Sequence, residues 1–280
     1  MSEIIQSTTN NFVYNVHEGE SLLGQVGKVI CIILPRGFLV AGFSERGDLL
    51  MIRYKDYDKS LPTWIIDFYE HHFIDEPLLS QPQAVVATFI GSDKYLITPN
   101  KLYEEHAARK WMDSLFFIED SDIIATHHLH EDQAQYIYAF PGPIKGLATR
   151  YFNDTKVLPL PAYQFTQHQK SDIGIHCCIT PEQVFATLYQ NKILQWHQVF
   201  SYQTGEDIAY HISLLCKQKN IRSEALDIEC SLIHSGLNPI LGNLSQYFPN
   251  IRQSEGGMMS TNRQWMPTIS LLQRLYVCAL

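Results

Sequence analysis

The chain writes one pattern twice. From Cys31 it reads CIILPRGFLVAGFSERGDLLMIRYKDY, and from Cys177 it reads CCITPEQVFATLYQNKILQWHQVFSYQ. Each copy is an apolar run of strand length, a tight turn containing proline, a second apolar run, a polar turn and a third run. Pro35 and Pro181 set an offset of 146 positions, at which Cys31 meets Cys177, Ile33 meets Ile179 and Phe43 meets Tyr189. At this offset the register is expected to carry onward without a gap. A three-stranded antiparallel meander present twice constrains the fold to two related units, each built on its own sheet.

The segments downstream of the two meanders extend the parallel. In the first copy a helix is expected to start near Pro62 and to bury Ile65, Phe68, Tyr69 and His72, after which QAVVATFI reads as a strand. In the second, TGED offers Thr204 and Asp207 as a capping box, Ile208, Ile212 and Leu215 form the apolar stripe, and LDIECSLIHSG is the next strand. Both halves therefore read β-β-β-α-β. The first continues with Thr98-Pro99 as an expected helix start before Ala108, Trp111, Met112 and Leu115. Between positions 118 and 169 lie the strands DIIATHHL and AQYIYAFP, a short helix from about Pro143, and KVLPLPAYQF, whose two prolines suit a sheet edge. That section is a candidate inserted layer. Residues 1–28 read as a leader or an edge strand over NFVYNVH, 29–170 as the first lobe and 171–280 as the second.

Composition sets the outer bounds. The chain has 280 residues, 45% hydrophobic, with a formal net charge of −8. This is enough apolar material for a sizeable core and provides no basic footprint for nucleic acid. No apolar run approaches a bilayer span, and the N-terminus has neither the basic start nor the apolar stretch of a signal peptide, so a cytoplasmic location and no direct membrane insertion are expected. The six cysteines sit in apolar patterns and read as reduced core thiols, Cys177 and Cys178 pointing to opposite sides of one strand.

A meander continued through a crossover helix into a parallel strand, twice in one chain, resembles the actin-like ATPase (ribonuclease H-like) fold shared by actin and hexokinase. YLITPNKLY, after VVATFIGS, and IHCCITPEQVFATLYQNKIL are similar to an uncharacterised bacterial family of that fold, related in kind to pilus and secretion scaffolds of the PilM and GspL type. The resemblance implies an α+β (α/β) architecture of two duplicated β-β-β-α-β-α lobes around a cleft. It also implies that any nucleotide phosphates would sit in the turns between the first two strands of each half. Such turns need glycine for close backbone approach, a carboxylate for hydrated magnesium and free amides. LPRGF has Gly37 and no carboxylate; TPEQV has Glu182 and no glycine; each has a proline that removes an amide. The resemblance further places Ser235 and Gly236, in IHSGLNP, where the superfamily turns beside adenosine, and Asp172 is the remaining carboxylate candidate near the cleft.

The sequence thus reads as a non-catalytic actin-like scaffold or protein-interaction module with degenerate phosphate turns, no expected cofactor and a protein partner or a further copy of itself. The alternative is an atypical ATP-binding or hydrolysing member using Ser235, Gly236, Asp172 and Glu182 with ATP and magnesium. A weaker alternative is a metal-dependent enzyme on THHLHED, where His128 and His130 share a strand face. Glu70-His71-His72 reads as helix-end stabilisation by imidazolium. No G-x-S-x-G is present for a serine hydrolase. The aromatics of YFNDTKVLPLPAYQF and the loop at 254–262 are further surface candidates.

Overall fold

The computed structural model describes residues 11–16, 22–58, 60–79, 84–152, 155–166, 172–253 and 263–280. The chain forms two compact units, one comprising Met1–Ala162 with Leu275–Leu280 and the other Tyr163–Arg274. The loop at 254–262 lies outside the described residues.

In the first unit the meander is β2 (Lys28–Leu34), β3 (Gly37–Phe43) and β4 (Leu49–Asp56), preceded by β1 (Asn11–Asn15). After α1 (Ile66–Asp75) comes β5 (Val85–Ile90), and β9 (Lys156–Pro159) closes the sheet, whose order is β1-β4-β3-β2-β5-β9. All seven residues of β3 are buried. Successive side chains of a strand alternate between faces, so this demands cover on both sides of the sheet and explains the unbroken apolar runs. Phe38 packs on Phe73 of α1, and Phe43 stacks at 4.3 Å on Tyr276 from the chain's last helix. NFVYN is therefore an edge strand, antiparallel to β4.

A smaller sheet is inserted after β5. It contains β6 (Tyr95–Pro99), β7 (Asp122–Leu129) and β8 (Ala134–Pro141) in the order β6-β8-β7, with α2 (Ala108–Leu115) packed on it through Ala108 and Met112. Thr98-Pro99, expected to start a helix, instead ends β6, pairing with Gln135 and Ala134 of β8. Proline is tolerated there because β6 is an edge. Next in the chain is α3 (Gly142–Tyr151), with Pro143 in its first turn, as its sequence predicts. KVLPLPAYQF is strand only over β9; a short helix, α4 (Ala162–Phe165), takes up its end.

The second unit has β10 (Ile173–Ile179), β11 (Gln183–Gln190), β12 (Ile193–Ser201), α5 (Gly205–Lys219), β13 (Asp227–Leu232), α6 (Asn238–Leu244), β14 (Ile251–Gln253) and α7 (Met266–Ala279), whose last turn belongs to the first unit. The sheet order is β12-β11-β10-β13-β14. Ile208, Ile212 and Leu215 of α5 and Leu241 and Leu244 of α6 cover a core that includes Ile175, Cys177 and Cys230. The Thr204–Asp207 capping box is present, with the Thr204 amide donating to Asp207 Oδ2 at 2.9 Å.

The two main sheets share one plan. In each, a meander joins through a helix to a parallel strand and then to a second parallel strand. Cys31 pairs with Val40 and Cys177 with Ala186; Ile33 pairs with Phe38 and Ile179 with Val184. The 146-residue offset therefore holds through the first hairpin. It does not carry onward without a gap. The β3–β4 connection pairs Phe43 with Leu49, whereas β11 and β12 are joined by Asn191 and Lys192 alone, both at positive φ (52° and 64°). This is the geometry of a two-residue hairpin. The later helices diverge further, α1 having 10 residues and α5 having 15. α1 also starts four residues beyond Pro62, because Trp64 sits at φ 58° and its amide donates to the Pro35 carbonyl.

Candidate functional site

The proline hairpins are the places where the duplicated plan offers a site, and in both, backbone carbonyls are already bonded. In the first, Leu34 pairs with Gly37 around Pro35-Arg36; in the second, the Thr180 amide donates to the Gln183 carbonyl around Pro181-Glu182. The Ile33 carbonyl accepts from the Gly91 amide at 2.9 Å, and its counterpart Ile179 accepts from Ile233 at 3.0 Å. The Arg36 carbonyl accepts from the Tyr57 amide at 3.0 Å, and its counterpart Glu182 accepts from the Tyr202 amide at 3.3 Å. At the third position a tyrosine hydroxyl closes each turn: Tyr69 donates to the Leu34 carbonyl, and Tyr202 donates to the Thr180 carbonyl at 2.6 Å. Burial raises the pKa of both phenols, with the nearby Glu182 carboxylate adding to it at Tyr202, so each remains a proton donor.

Side chains complete the seal. Arg36 Nη1 donates to the carbonyls of Asp58 (3.2 Å) and Leu61 (2.6 Å), drawing the chain after β4 across the first turn. Gly37 has a local reason: the Tyr54 hydroxyl lies where its Cβ would be. In the second turn Thr180 Oγ1 both donates to the Gln183 carbonyl (2.9 Å) and accepts from the Gln183 amide (3.2 Å). In each turn a proline nitrogen replaces one amide that a phosphate would want, and in the second the Thr180 and Gln183 amides are bonded within the turn.

The other candidates fall in three places. Ser235 and Gly236 come just after β13, which runs parallel to β10, so they share one end of the second sheet with Glu182. Asp172 precedes β10 and its carbonyl accepts from Asn191 at 2.7 Å. A seven-residue strand spans about 20 Å, so Asp172 stands at the opposite end from Glu182, Ser235 and Gly236. Gly236 is not at positive φ; its amide donates to Nδ1 of buried His234 at 3.1 Å, and the Ser235 carbonyl accepts from Asn238 Nδ2 at 2.7 Å. Burial pushes the His234 pKa down to about 3, keeping the ring neutral and able to accept.

His128, on β7, and His130, in the turn after it and so not on the strand face expected for it, are exposed, with rings edge to face at 4.2 Å and His128 Nδ1 2.7 Å from Gln135 Nε2. Among the described residues no group of three or more His, Cys, Asp or Glu side chains is arranged to hold a metal. His72, read as a charged helix end, is instead half-buried 3.2 Å from Lys55 Nζ, and burial, reinforced by the Lys55 charge, lowers its pKa to about 4. Cysteine chemistry is likewise muted: five thiols are buried, and Cys178 is pushed up to about 12 by burial. Sequence reasoning missed the sealing tyrosines. Tyr202 follows its third strand directly, as Tyr57 does in the first copy, but there the sealing hydroxyl comes from Tyr69 of α1 and Tyr57 contributes only its amide.

Two solved structures share this architecture over nearly their whole length. A Bacteroides thetaiotaomicron protein with actin-like ATPase fold and unknown function is 13% identical with a TM-score of 0.69, covering 90% of this chain and 99% of its own. The PilM-PilN type IV pilus biogenesis complex matches with a TM-score of 0.59 at 11% identity, covering 91% and 99%. The duplicated sheets and these likenesses define the class: this is a protein of the actin-like ATPase fold. The chain belongs to the DUF3822 family of proteins of unknown function, whose pattern matches residues 33–251. No curated protein matches at a significant level. Among the described residues no helix is long and apolar enough to cross a membrane.

Proposed function

We propose that this chain is a non-catalytic actin-like scaffold or protein-interaction module acting in the cytoplasm, with neither ATP nor magnesium as a working ligand. The carrying observation is the pair of proline hairpins: each lacks the amide at its proline, the Thr180 and Gln183 amides of the second are bonded inside the turn, and carbonyls of both are fixed by donors from Gly91, Tyr57 and Tyr69 in one unit and from Ile233 and Tyr202 in the other. Fixed backbone of this kind suits a rigid platform, and a structural relative, PilM, is seen in complex with a protein, PilN. The atypical nucleotide-binding reading keeps one observation in its favour: Glu182, Ser235 and Gly236 share a sheet end.

Thermal unfolding with and without about 1 mM Mg-ATP separates the readings. A ligand at about 100 times its dissociation constant stabilises by about 2.7 kcal/mol, a shift of a few degrees in Tm. No shift is expected. A reproducible rise that disappears in Gly236→Val would overturn the scaffold reading.

A further inference from the structure

The end of α2 and the loop after it hold apolar side chains in water. Phe117 is 81% exposed, more than any other large apolar side chain among the described residues, and Leu115 is 59% exposed. Trp111, one turn before Leu115 on the same side of α2, is half-buried. An apolar strip therefore runs along the end of the helix into the loop.

The loop that displays Phe117 is held by hydrogen bonds at both ends. The Phe116 amide donates to the Met112 carbonyl at 2.8 Å, the Asp122 amide to the Glu119 carbonyl at 3.0 Å, and the Gly142 amide to the Ser121 carbonyl at 3.0 Å. The Glu119 amide donates to Oδ2 of buried Asp122 at 3.1 Å. Arg109 clamps the loop from α2: Nη2 donates to the Glu119 carbonyl at 2.7 Å, Nη1 to the Asp122 carbonyl at 3.2 Å, and Nε lies 3.4 Å from Asp113 Oδ1.

A cavity of about 470 Å³ lies beside this loop, lined by Arg109, Asp113, Phe116, Phe117, Ile118 and Asp120. It opens on solvent, so it suits one or two side chains of a partner better than a small molecule, which needs burial over most of its surface. Charge decides which side chains. The Arg109 guanidinium is spent on two carbonyls and Asp113, and the loop from Phe116 to Ser121 has Glu119 and Asp120 and no Lys, Arg or His. Carboxylates next to an exposed aromatic ring favour an ammonium or guanidinium group, and they repel nucleic acid and anionic lipid.

We infer that the end of α2 and its loop dock a segment of a partner protein that presents lysine or arginine beside an apolar side chain. The apolar side chain covers Phe117 and Leu115, and the cation enters the cavity towards Asp113 and Asp120. A loop already fixed loses little conformational freedom on binding. The inference rests on the reading of this chain as an interaction module and gives the chemistry of its partner.

Selection of random peptides displayed on phage against the full chain tests it, followed by fluorescence polarisation of the selected peptides. These are expected to combine Lys or Arg with a neighbouring Leu, Ile, Phe or Met, and to lose at least about tenfold in affinity against Phe117→Ser and against Asp120→Lys. Both positions are exposed, so both variants are expected to keep the wild-type circular dichroism spectrum, and either provides the readout if the other fails to fold. Glu206→Gln, at an exposed carboxylate of the other unit, is expected to bind as wild type, which separates docking from general attraction of basic peptides to an acidic chain. A selection that yields no peptides, yields acidic or uncharged ones, or yields peptides whose affinity survives both variants would overturn the inference. So would a wild-type mass that falls to the 32.2 kDa of one chain only in Phe117→Ser, in favour of a second copy as the occupant. Peptides bound elsewhere on the chain would leave the interaction-module reading standing, whereas a rise in Tm with Mg-ATP that Gly236→Val abolishes would overturn that reading and leave peptide docking at Phe117 measurable.

Discussion

The hydroxyl of Tyr202 donates to the carbonyl of Thr180 at 2.6 Å, across the turn whose counterpart is closed by Tyr69 on Leu34. Two phenols from different elements, one on α1 and one just past β12, reach the same backbone position of a duplicated hairpin. The common feature is a hairpin carbonyl that takes a phenol hydroxyl as a donor, within a turn where backbone polar groups need partners.

Removing either hydroxyl should therefore destabilise without altering ligand behaviour. Tyr69→Phe and Tyr202→Phe are each expected to cost about 1–2 kcal/mol, the penalty for leaving a buried carbonyl unpaired. Urea denaturation with unchanged m-values checks this. A neutral effect for both would mean that the carbonyls find another donor and that the seal is not what holds the turns.

Gly37 tests the same turn from the other side. Gly37→Ala should destabilise by about 1–3 kcal/mol through overpacking, because its Cβ would collide with the Tyr54 hydroxyl. Combining it with Tyr54→Phe should recover part of that loss, a non-additivity read from a double-mutant cycle. Purely additive losses would point to backbone conformation instead.

Acid should weaken the second unit through His234. Its pKa in the folded protein is about 3, below the ordinary 6.5, so as pH falls through 6.5 the unfolded chain takes up a proton that the folded one refuses. Stability is then lost between about pH 6.5 and pH 3, at up to about 1.4 kcal/mol per pH unit for this one group, and the loss levels off below. His234→Gln, which keeps an acceptor for the Gly236 amide, should flatten that part of the profile. A variant with the same slope as wild type would contradict the assignment.

The parts of the fold legible in the sequence are those fixed by neighbours along the chain. The first hairpin of each copy, the capping box at Thr204 and Asp207, and Pro143 in the first turn of α3 all arise from local pattern. Thr98-Pro99 misled because its partners, Gln135 and Ala134, come from a strand far along the chain, and pairing of that kind overrides a local cap signal. Pro62 misled because the residues after β4 are held across the first turn by Arg36 and Trp64. The site was half legible: Pro35 and Pro181 announce the missing amides, whereas the donors that occupy the carbonyls are visible only once α1 and β12 are in place. Asp172 and Glu182 are ten positions apart in sequence, and only the direction of β10 shows that they occupy opposite ends of one strand.

The last turn of α7 gives the chain an unusual order of completion. Tyr276 stacks on Phe43, and Lys156 Nζ donates to the Ala279 carbonyl at 2.8 Å. The sheet synthesised first therefore receives part of its cover from residues that emerge only after all of Tyr163–Arg274 has been made. During translation the later unit can finish while the earlier one still waits with Phe43 uncovered. A nascent chain halted before Leu275 should therefore expose apolar surface on its older half and attract chaperones there.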